Sequence, residues 1–406
     1  MEHASKVIIV SQYYAPDPST TAAYMTAIAE TLAREMPVVV LSGTPAPVAC
    51  GEMRHRPSVI PIPGWRPRKD ALAKRAVAMA LFAMRTFFST LLRARRGDVV
   101  FCVTSPFTLP YAVMAAARLR RAATVLLIYD LYPEALEMAG LIRPGSITGR
   151  LIRLANRSMF RALAAIIVIG RDVKKLLLAY QGVAPQNITF IPNWPLIPTG
   201  YRETRPDNPF RRNHRSQLVV GLSGNLGFTH SPGTVFRAAE LLKDDPHIHL
   251  ILSGWGVGWN ELRDLQADRS LDNVTLLDPV AESELEDFLT AADVWIIPYR
   301  RNVAGVSVPS RLYNLLAVGR AVIVAAEPYS EAALIVSENA IGWVVPPEDP
   351  DRLADAIRQA SSDRASTLQK GRRAAAVANN YADASALPQY SALIRRVRSA
   401  ASGQPG

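Results

Sequence analysis

Cysteine is nearly absent from this 406-residue sequence. Only Cys50 and Cys102 occur, and Cys102 lies inside an apolar run. So few cysteines, with no zinc-type spacing, exclude a disulfide framework and favour a reduced, cytoplasmic setting. Acidic residues are also scarce, 35 against 46 lysines and arginines, which leaves a formal net charge of +11. That charge favours anionic partners: phosphorylated substrates, nucleic acid or anionic lipid.

Several motifs and segment types are missing as well. The chain has no Walker or Gly-x-Ser-x-Gly element, no internal repeat and no low-complexity segment. The N-terminus enters a strand-like run at Val7 without an apolar signal region. His247 and His249 alternate on a predicted strand, but a third metal ligand is missing from their vicinity. We therefore predict neither a metal site nor a cofactor.

Apolar runs that alternate with helical stretches dominate the rest of the chain. Hydrophobic residues make up 49% of it, which suits two domains of ordinary size. Runs such as Val7 to Val10 and Val99 to Val103 are typical of strands that are buried on both faces of a parallel sheet. The alternation predicts an α/β fold with two doubly wound domains, residues 1–197 and 217–380. The polar run from Thr199 to Ser216 is the predicted linker.

The most informative stretch covers residues 307–331. Ser310 is expected to N-cap a short helix, and Gly319 is expected to end it in the left-handed conformation. A buried strand follows, and a second helix begins at Glu331. Arg311 and Glu331 are thereby placed at the carboxyl edge of one sheet, where open α/β sheets bind ligands.

This stretch resembles the nucleotide-sugar site of family 4 glycosyltransferases with the GT-B fold. The resemblance is carried by Pro-Ser-Arg-Leu-Tyr-Asn-Leu-Leu-Ala-Val-Gly-Arg-Ala-Val-Ile, followed by Ser-Glu. It is most similar to the branch that builds bacterial exopolysaccharides and O-antigens, including L-fucosamine transferases. The resemblance implies two Rossmann-like domains that face a cleft. It also implies a C-terminal helix within residues 381–406 that crosses back to the first domain.

Two departures from the family pattern bear on the site. Many relatives have a Glu at the position of Asn314, where it holds the ribose hydroxyls, and another eight residues earlier, where this chain has Val306. The resemblance implies that Asn314 faces the ribose and that Ser310 and Arg311 bind the diphosphate, for which a guanidinium fork is suited. A solvated first-turn residue is the alternative for Arg311. Glu331 is expected to bind a ribose or sugar hydroxyl.

A second predicted phosphate contact is the segment Gly224-Asn225-Leu-Gly227. It follows a strand and precedes a helix, so its backbone N–H groups could face a phosphate. Two glycines at this spacing also suit a plain turn, but the Asn-Leu-Gly pattern resembles the exopolysaccharide branch. Relatives usually have an Arg and a Lys shortly afterwards, whereas here His230 is the one candidate donor.

The predicted contribution of the first domain is Asp130. It belongs to Asp-Leu-Tyr-Pro-Glu, which ends a strand and resembles the Asp-Leu-Trp-Pro-Glu of exopolysaccharide transferases. In the wider family this position holds a cleft residue that touches the donor sugar or the acceptor. Asp130 and Arg311 are therefore the predicted catalytic residues. A helix-capping aspartate is the alternative interpretation of Asp130.

Residues 66–96 form a basic segment with nine lysines and arginines and one acid. Lys74, Arg85 and Arg96 recur every eleven residues, which marks one face of an α-helix. The apolar run between them is about 17 residues long and contains Arg85, so it is poorly suited to span a bilayer. We expect an amphipathic helix near 70–96 that lies on an anionic membrane, with a buried core helix as the alternative.

With the resemblance, the sequence predicts a retaining, metal-independent glycosyltransferase on the inner face of the cytoplasmic membrane. The expected donor is a nucleoside diphosphate sugar, with UDP as the nucleotide, and the expected acceptor is a polyprenyl-linked saccharide of a bacterial surface polysaccharide. A nucleotide-sugar 2-epimerase and a non-enzymatic membrane-binding protein stay open as alternatives. Nucleic acid is not an expected partner, because the basic segment places its phenylalanines in an apolar helix and not on a stacking platform.

Overall fold

Two parallel sheets form the framework of the computed structural model, which describes residues 5–44, 56–65 and 72–402. The first sheet has seven strands: β1 (Val7–Ser11), β2 (Val38–Ser42), β3 (Ser58–Pro61), β4 (Val99–Val103), β5 (Ala123–Ile128), β6 (Ala165–Val168) and β7 (Ile188–Phe190). They lie in the order β3-β2-β1-β4-β5-β6-β7. The helices between them are α1 (Thr20–Ala33), α2 (Leu72–Arg93), α3 (Leu109–Leu119), α4 (Glu134–Met138), α5 (Ile147–Ala162) and α6 (Val173–Leu178).

The second sheet has six strands: β8 (Leu218–Asn225), β9 (Ile248–Trp255), β10 (Val274–Leu277), β11 (Val294–Pro298), β12 (Ala321–Ala325) and β13 (Gly342–Val345). They lie in the order β10-β9-β8-β11-β12-β13. Seven helices complete this part of the chain: α7 (Pro232–Leu241), α8 (Val257–Arg269), α9 (Leu285–Ala291), α10 (Arg311–Ala317), α11 (Glu331–Glu338), α12 (Pro350–Ser362) and α13 (Arg364–Ala378). The last helix, α14 (Asp383–Ser402), packs against α1 and β4 of the first sheet.

The strands at the centre of each sheet follow directly from their sequences. Every residue of β1, β4, β11 and β12 is buried, as expected of Val- and Ile-rich strands that helices cover on both faces. The predicted α/β class with two doubly wound sheets is confirmed. Three strands without a continuous apolar run were not predicted: β3, β7 and β10. All three lie at sheet edges, where partial exposure removes the apolar signal.

The order of the strands reverses at one point in each sheet. The chain adds β9 and β10 on one side of β8 and then returns to place β11 on the other side. In the first sheet the same reversal lies between β1 and β4. Parallel sheets open a crevice at such switch points, beyond the carboxyl ends of the strands. The fold therefore predicts ligand sites beside β8 and β11 and beside β1 and β4.

The caps of α10 and α11 test the local predictions for residues 307–331. Gly319 follows α10 with a φ of +73°, so the predicted left-handed ending is confirmed. The Ser330 hydroxyl caps α11 by accepting a hydrogen bond from the Ala333 N–H at 3.4 Å. The predicted cap by Ser310 is wrong, because its hydroxyl makes no capping bond. Ser310 already has helical backbone angles, whereas a capping side chain needs an extended residue.

The predicted helix near 70–96 is α2, which is shorter than expected. It ends at Arg93, so Arg96 lies beyond it, and residues 66–71 lie outside the described residues. One face of α2 is buried against the domain and includes Phe82. The opposite face exposes Val77, Met84, Phe88 and Leu92. The helix is therefore apolar on its inner and its outer side.

The connections of α2 decide how it can meet a membrane. The segment Lys74–Arg93 is long and apolar enough to cross a bilayer, judged by length and composition alone. However, β3 before it and β4 after it belong to the same sheet, paired with β2 and β1 respectively. A single crossing would place these strands on opposite sides of the membrane. The pairing of β3 and β4 within one sheet therefore argues against a single crossing of a bilayer by α2.

Candidate active site

The switch point of the second sheet brings together two predicted site segments. The Arg311 guanidinium donates to the backbone carbonyls of Ser223, at 2.5 Å, and of Asn225. Between them, Gly224 has a φ of +92°, and a Cβ added there would lie 3.7 Å from Arg311 Cζ. Gly224 and Asn225 end β8 and are not in the turn, which follows at 226–231 and contains Gly227. Arg311 thus lies against the carboxyl end of β8.

His230 lies beside this arginine and is buried. Its backbone pairs with Tyr299 at the end of β11, and Arg300 Nε donates to the His230 carbonyl at 2.9 Å. Its Nδ1 hydrogen-bonds Thr229 Oγ1 at 3.1 Å, whereas its buried Nε2 has no partner among the described residues. Burial, and then the charges of Arg311 and Arg300, hold the His230 pKa well below its usual value. The imidazole is therefore neutral at physiological pH.

The charge at this switch point is positive. Burial lowers the pKa of Arg311 to about 10, so its guanidinium keeps its charge at neutral pH. Arg300 follows β11 and adds a second guanidinium beside His230. A neutral imidazole and two arginines at the carboxyl edge of a parallel sheet form a surface that suits a phosphate or diphosphate.

Asn314 lies in α10, one turn after Arg311. Its side-chain oxygen accepts a hydrogen bond from the Leu196 N–H at 2.8 Å. Leu196 follows the last strand of the first sheet, so this bond ties α10 to the connection between the two sheets. The amide group of Asn314 therefore has a structural partner in addition to its predicted role at the ribose.

Glu331 has a protein partner in the other domain. Its side chain is 1% exposed and accepts hydrogen bonds from the Arg171 backbone N–H, at 2.7 Å, and from Arg171 Nε, at 3.0 Å. Arg171 also pairs with Glu338 at 3.0 Å. Burial raises the pKa of Glu331, and the bonds from Arg171 oppose that shift. In this state Glu331 joins the two domains and does not face an open sugar pocket.

The residue after Arg171 completes the contact. Asp172 Oδ2 accepts from the Gly305 N–H at 2.8 Å and from the Glu331 N–H at 3.1 Å. The first of these N–H groups precedes α10 and the second begins α11. The loop after β6 thus carries a cation and an anion that both bind the second domain.

Asp130 lies on the opposite wall of the cleft. It pairs with Ser307 as an antiparallel bridge, and the Leu131 N–H donates to the Val306 carbonyl at 2.9 Å. Burial raises the pKa of Asp130, opposed by a hydrogen bond from the Ser307 side chain. The residue before α4 is Pro133, so Asp130 does not cap that helix. The capping alternative is therefore not supported.

Two family descriptions match the chain, one for each sheet. Residues 19–194 match the Glycosyl transferase 4-like domain, and residues 205–380 match Glycosyl transferases group 1. Together the matches cover both sheets. This chain belongs to the family 4 glycosyltransferases with the GT-B fold.

Similar proteins of known sequence and structure agree with this family. The chain is 26% identical to WbjE of Pseudomonas aeruginosa, assigned as a glycosyltransferase, over 96% of this chain and 98% of WbjE. It is 29% identical to WcaI of Escherichia coli K12, assigned to colanic acid biosynthesis, over 73% and 75%. Among solved structures, sucrose-phosphate synthase from Thermosynechococcus elongatus superposes with a TM-score of 0.74 at 16% identity, over 98% of this chain and all of that one. Anabaena HepE in complex with UDP-glucose superposes with a TM-score of 0.68 at 16% identity, with the same coverage.

Three site residues of this glycosyltransferase were not predicted from its sequence. Arg300 follows β11, and Arg171 and Asp172 follow β6, so each stands just after a predicted buried strand. Position after a strand is the signal that could have identified them, because all such residues reach the carboxyl edge. Their charge alone does not distinguish them from the many solvated arginines of this basic chain.

We predict that the bond between Arg171 and Glu331 stabilises the arrangement of the two domains seen in this structure. Arg171→Ala removes the guanidinium from the buried Glu331 carboxylate and leaves it only the backbone N–H of residue 171, which is expected to lower the free energy of unfolding by about 1–3 kcal/mol. It should also increase the radius of gyration in small-angle X-ray scattering. Glu338→Gln is the matched control, because it removes the other acid that pairs with Arg171. The side chain of Glu338 is 49% exposed. An equal loss of stability in both variants would contradict the prediction.

Proposed function

We propose that this glycosyltransferase moves a sugar from a UDP-sugar to a polyprenyl-linked saccharide during bacterial surface-polysaccharide synthesis. The observation that carries the proposal is the cationic cluster that Arg311 and Arg300 form at the switch point of the second sheet. The assignment of WcaI to colanic acid biosynthesis supports the polysaccharide context. The complex of HepE with UDP-glucose supports the donor class. In this proposal residues 217–380 bind the donor, residues 1–197 bind the acceptor, and the helix in 381–406 connects the two.

Diphosphate binding is the first step of the proposed reaction. Arg311 is held against the end of β8 by two carbonyl groups, which leaves further N–H donors of its guanidinium for phosphate oxygens. Arg300 adds a second positive charge. The Nε2 of neutral His230, which has no partner among the described residues, can donate or accept a hydrogen bond. The first N–H of α11 is bound to Asp172, so the diphosphate depends on the arginines more than on this helix.

Sugar transfer is proposed to proceed with retention and without a metal ion. The bond between the anomeric carbon and the phosphate oxygen breaks while the acceptor oxygen bonds to the same face of the sugar. The acceptor proton passes to the departing phosphate oxygen. Arg311 and Arg300 stabilise the negative charge that grows on the diphosphate, which is the main electrostatic demand of this step. Asp130, across the cleft, is proposed to bind a hydroxyl of the sugar or acceptor.

A panel of nucleotide sugars tests the proposal and its main alternative. We expect release of UDP from one UDP-sugar only when a membrane extract supplies the acceptor, with radiolabelled sugar recovered in the lipid fraction. A 2-epimerase would instead convert the nucleotide sugar without extract and would leave the lipid fraction unlabelled. GDP-sugars are the control for the nucleotide. Transfer from a GDP-sugar alone would overturn the UDP assignment.

We predict that Arg311→Ala weakens UDP binding by about 1.5–3 kcal/mol, the range for a hydrogen bond to a charged group. Titration calorimetry with UDP measures this directly, and sugar transfer should be lost in parallel. Arg269→Ala removes the same charge from the end of α8, where that arginine pairs with Glu240, and serves as the control. If the dissociation constant of UDP stays unchanged in Arg311→Ala, Arg311 does not bind the diphosphate.

The outer face of α2 is proposed to hold the enzyme on the inner face of the cytoplasmic membrane. Its exposed side chains include Phe88, which is 54% exposed, and Leu92, which is 76% exposed. Lys74 and Arg85 flank this apolar surface, and Arg85 also donates to the Pro63 carbonyl at 2.6 Å. Apolar side chains bordered by cations favour the interface of an anionic membrane. Such contact would bring the first domain to a lipid-linked acceptor.

We predict that Phe88→Ser with Leu92→Ser releases the protein from vesicles that contain anionic lipid. Removal of exposed apolar side chains should leave folding and turnover on a water-soluble acceptor analogue unchanged, while turnover on the lipid-linked acceptor falls. Sedimentation with vesicles measures the binding. Leu241→Ser with Leu368→Ser changes two exposed leucines of the second domain and is the control. If the α2 variant sediments with the vesicles as much as the wild type does, α2 does not form the membrane contact.

A further inference from the structure

A cavity on the outside of the first domain contains three arginines. It lies between α3 and α5, which are joined by a hydrogen bond from the Tyr111 hydroxyl to Asn156 at 2.6 Å. The cavity has a volume of about 430 Å³ and is lined by Arg118, Leu154, Arg157, Ser158, Arg161 and Ala162. It plays no part in the proposed donor site.

The three arginines face the cavity without a counter-ion. Their guanidinium groups make no ion pair and no hydrogen bond within the part of the chain that the structure describes, although the Arg153 side chain of the same helix pairs with Glu134 and Glu137. Neither α3 nor α5 contains an acidic residue. Like charges that share a cavity repel each other, so an anion bound there would relieve the repulsion and accept several N–H donors.

Exposed apolar side chains border the cavity. Leu154 lines it, and Leu119, Ile147 and Leu151 project from the same two helices into solvent. On α5, Ile147, Leu151 and Leu154 are spaced by four and three residues, so they form one stripe on the outer face of the helix. A water-soluble phosphate would gain nothing from contact with such an apolar stripe. A phosphate that carries acyl chains would bind more strongly, because the acyl chains and the leucines would be removed from water together.

The position of the cavity relates it to α2. Arg118 stands at the end of α3, and Arg157 and Arg161 stand in the last turns of α5, where each helix returns to the start of the next strand. The cavity therefore lies at the amino edge of the sheet, opposite the cleft. Right-handed crossovers place α2, α3 and α5 on one face of the sheet, and α2 packs along α3. These three helices carry nine basic residues and no acidic residue.

We propose that the cavity between α3 and α5 binds the phosphate headgroup of an anionic membrane lipid. It is a second membrane contact, separate from the apolar face of α2, and it makes the attachment selective for lipid headgroups. With both contacts made, α2, α3 and α5 lie along the bilayer, while the donor cleft stays free at the opposite edge. The inference extends the proposed membrane attachment but needs neither a particular donor nor a particular acceptor.

Vesicle binding of the full-length protein tests the headgroup site. Phosphatidylcholine vesicles, with and without phosphatidylglycerol, are compared for the wild type and for Arg157→Gln with Arg161→Gln. At about a factor of five for each arginine near an anionic surface, binding to the anionic vesicles should weaken roughly thirtyfold. Arg212→Gln with Arg215→Gln removes the same charge from exposed arginines of the linker and should change binding less than threefold, roughly. If vesicle binding weakens equally in the two double variants, binding depends on net charge alone and the proposed headgroup site is wrong.

Two further measurements separate the possible ligands. Leu151→Ser with Leu154→Ser should weaken binding to both kinds of vesicle, because it removes the apolar contact without removing a charge. A single-stranded RNA oligonucleotide should bind the arginine variant and the wild type alike. If the arginine variant loses RNA binding but keeps vesicle binding, the cavity binds nucleic acid and not lipid, and the proposal is wrong.

The outcome is distinguishable from failure of the proposed function. The arginine variant should bind UDP and use a water-soluble acceptor analogue as the wild type does, since the cavity lies at the edge opposite the cleft. A thermal midpoint equal to that of the wild type would exclude misfolding as the cause of lost vesicle binding. If the wild type binds vesicles through these arginines but transfers no sugar, the headgroup site stands and the proposed function fails.

Discussion

The buried carboxylate of Glu331 determines how the two domains meet. A carboxylate that is removed from water is costly unless strong hydrogen bonds compensate, and here those bonds come from the other domain, through Arg171. Asp172 adds two more bonds between the domains, because its carboxylate accepts hydrogen bonds from N–H groups at the start of α11 and in the loop before α10. The cleft walls are therefore aligned by polar bonds that depend on direction, and not only by apolar packing.

That alignment places the cationic cluster opposite the first domain. Arg311 is fixed on the end of β8, and the loop that leads to it from β11 pairs with Asp130 at Ser307. A substrate between them would meet positive charge on one side and a carboxyl group of raised pKa on the other. This polarity suits a donor whose leaving group is a diphosphate and whose sugar offers hydroxyls.

The helices α2, α3 and α5 share one side of the first sheet and carry only basic charges. On the other side, α1 carries Glu30 and no basic residue, and α14 carries three arginines, of which Arg395 pairs with Glu35. Exposed apolar side chains occupy the basic face of α2, α3 and α5. Membrane attachment and sugar transfer can therefore use different surfaces of one domain. An attachment along these helices would leave the cleft open at the edge of the sheet.

The sequence by itself determined the elements whose signals are local. Buried central strands appear as continuous apolar runs, and Gly319 ends α10 because only glycine adopts a positive φ there without strain. The meeting of Gly224 with Arg311 was also predictable, because the end of β8 and the start of α10 both lie at the carboxyl edge of one parallel sheet.

Only the tertiary structure decided which partner each charged side chain finds. Glu331 and Arg171 are 160 residues apart and belong to different domains, so no local pattern connects them. The edge strands, the exposure of one face of α2 and the convergence of three arginines between α3 and α5 depend likewise on what packs beside them. The physical reason is that burial and charge pairing are properties of neighbours in space, which the order of residues along the chain does not reveal.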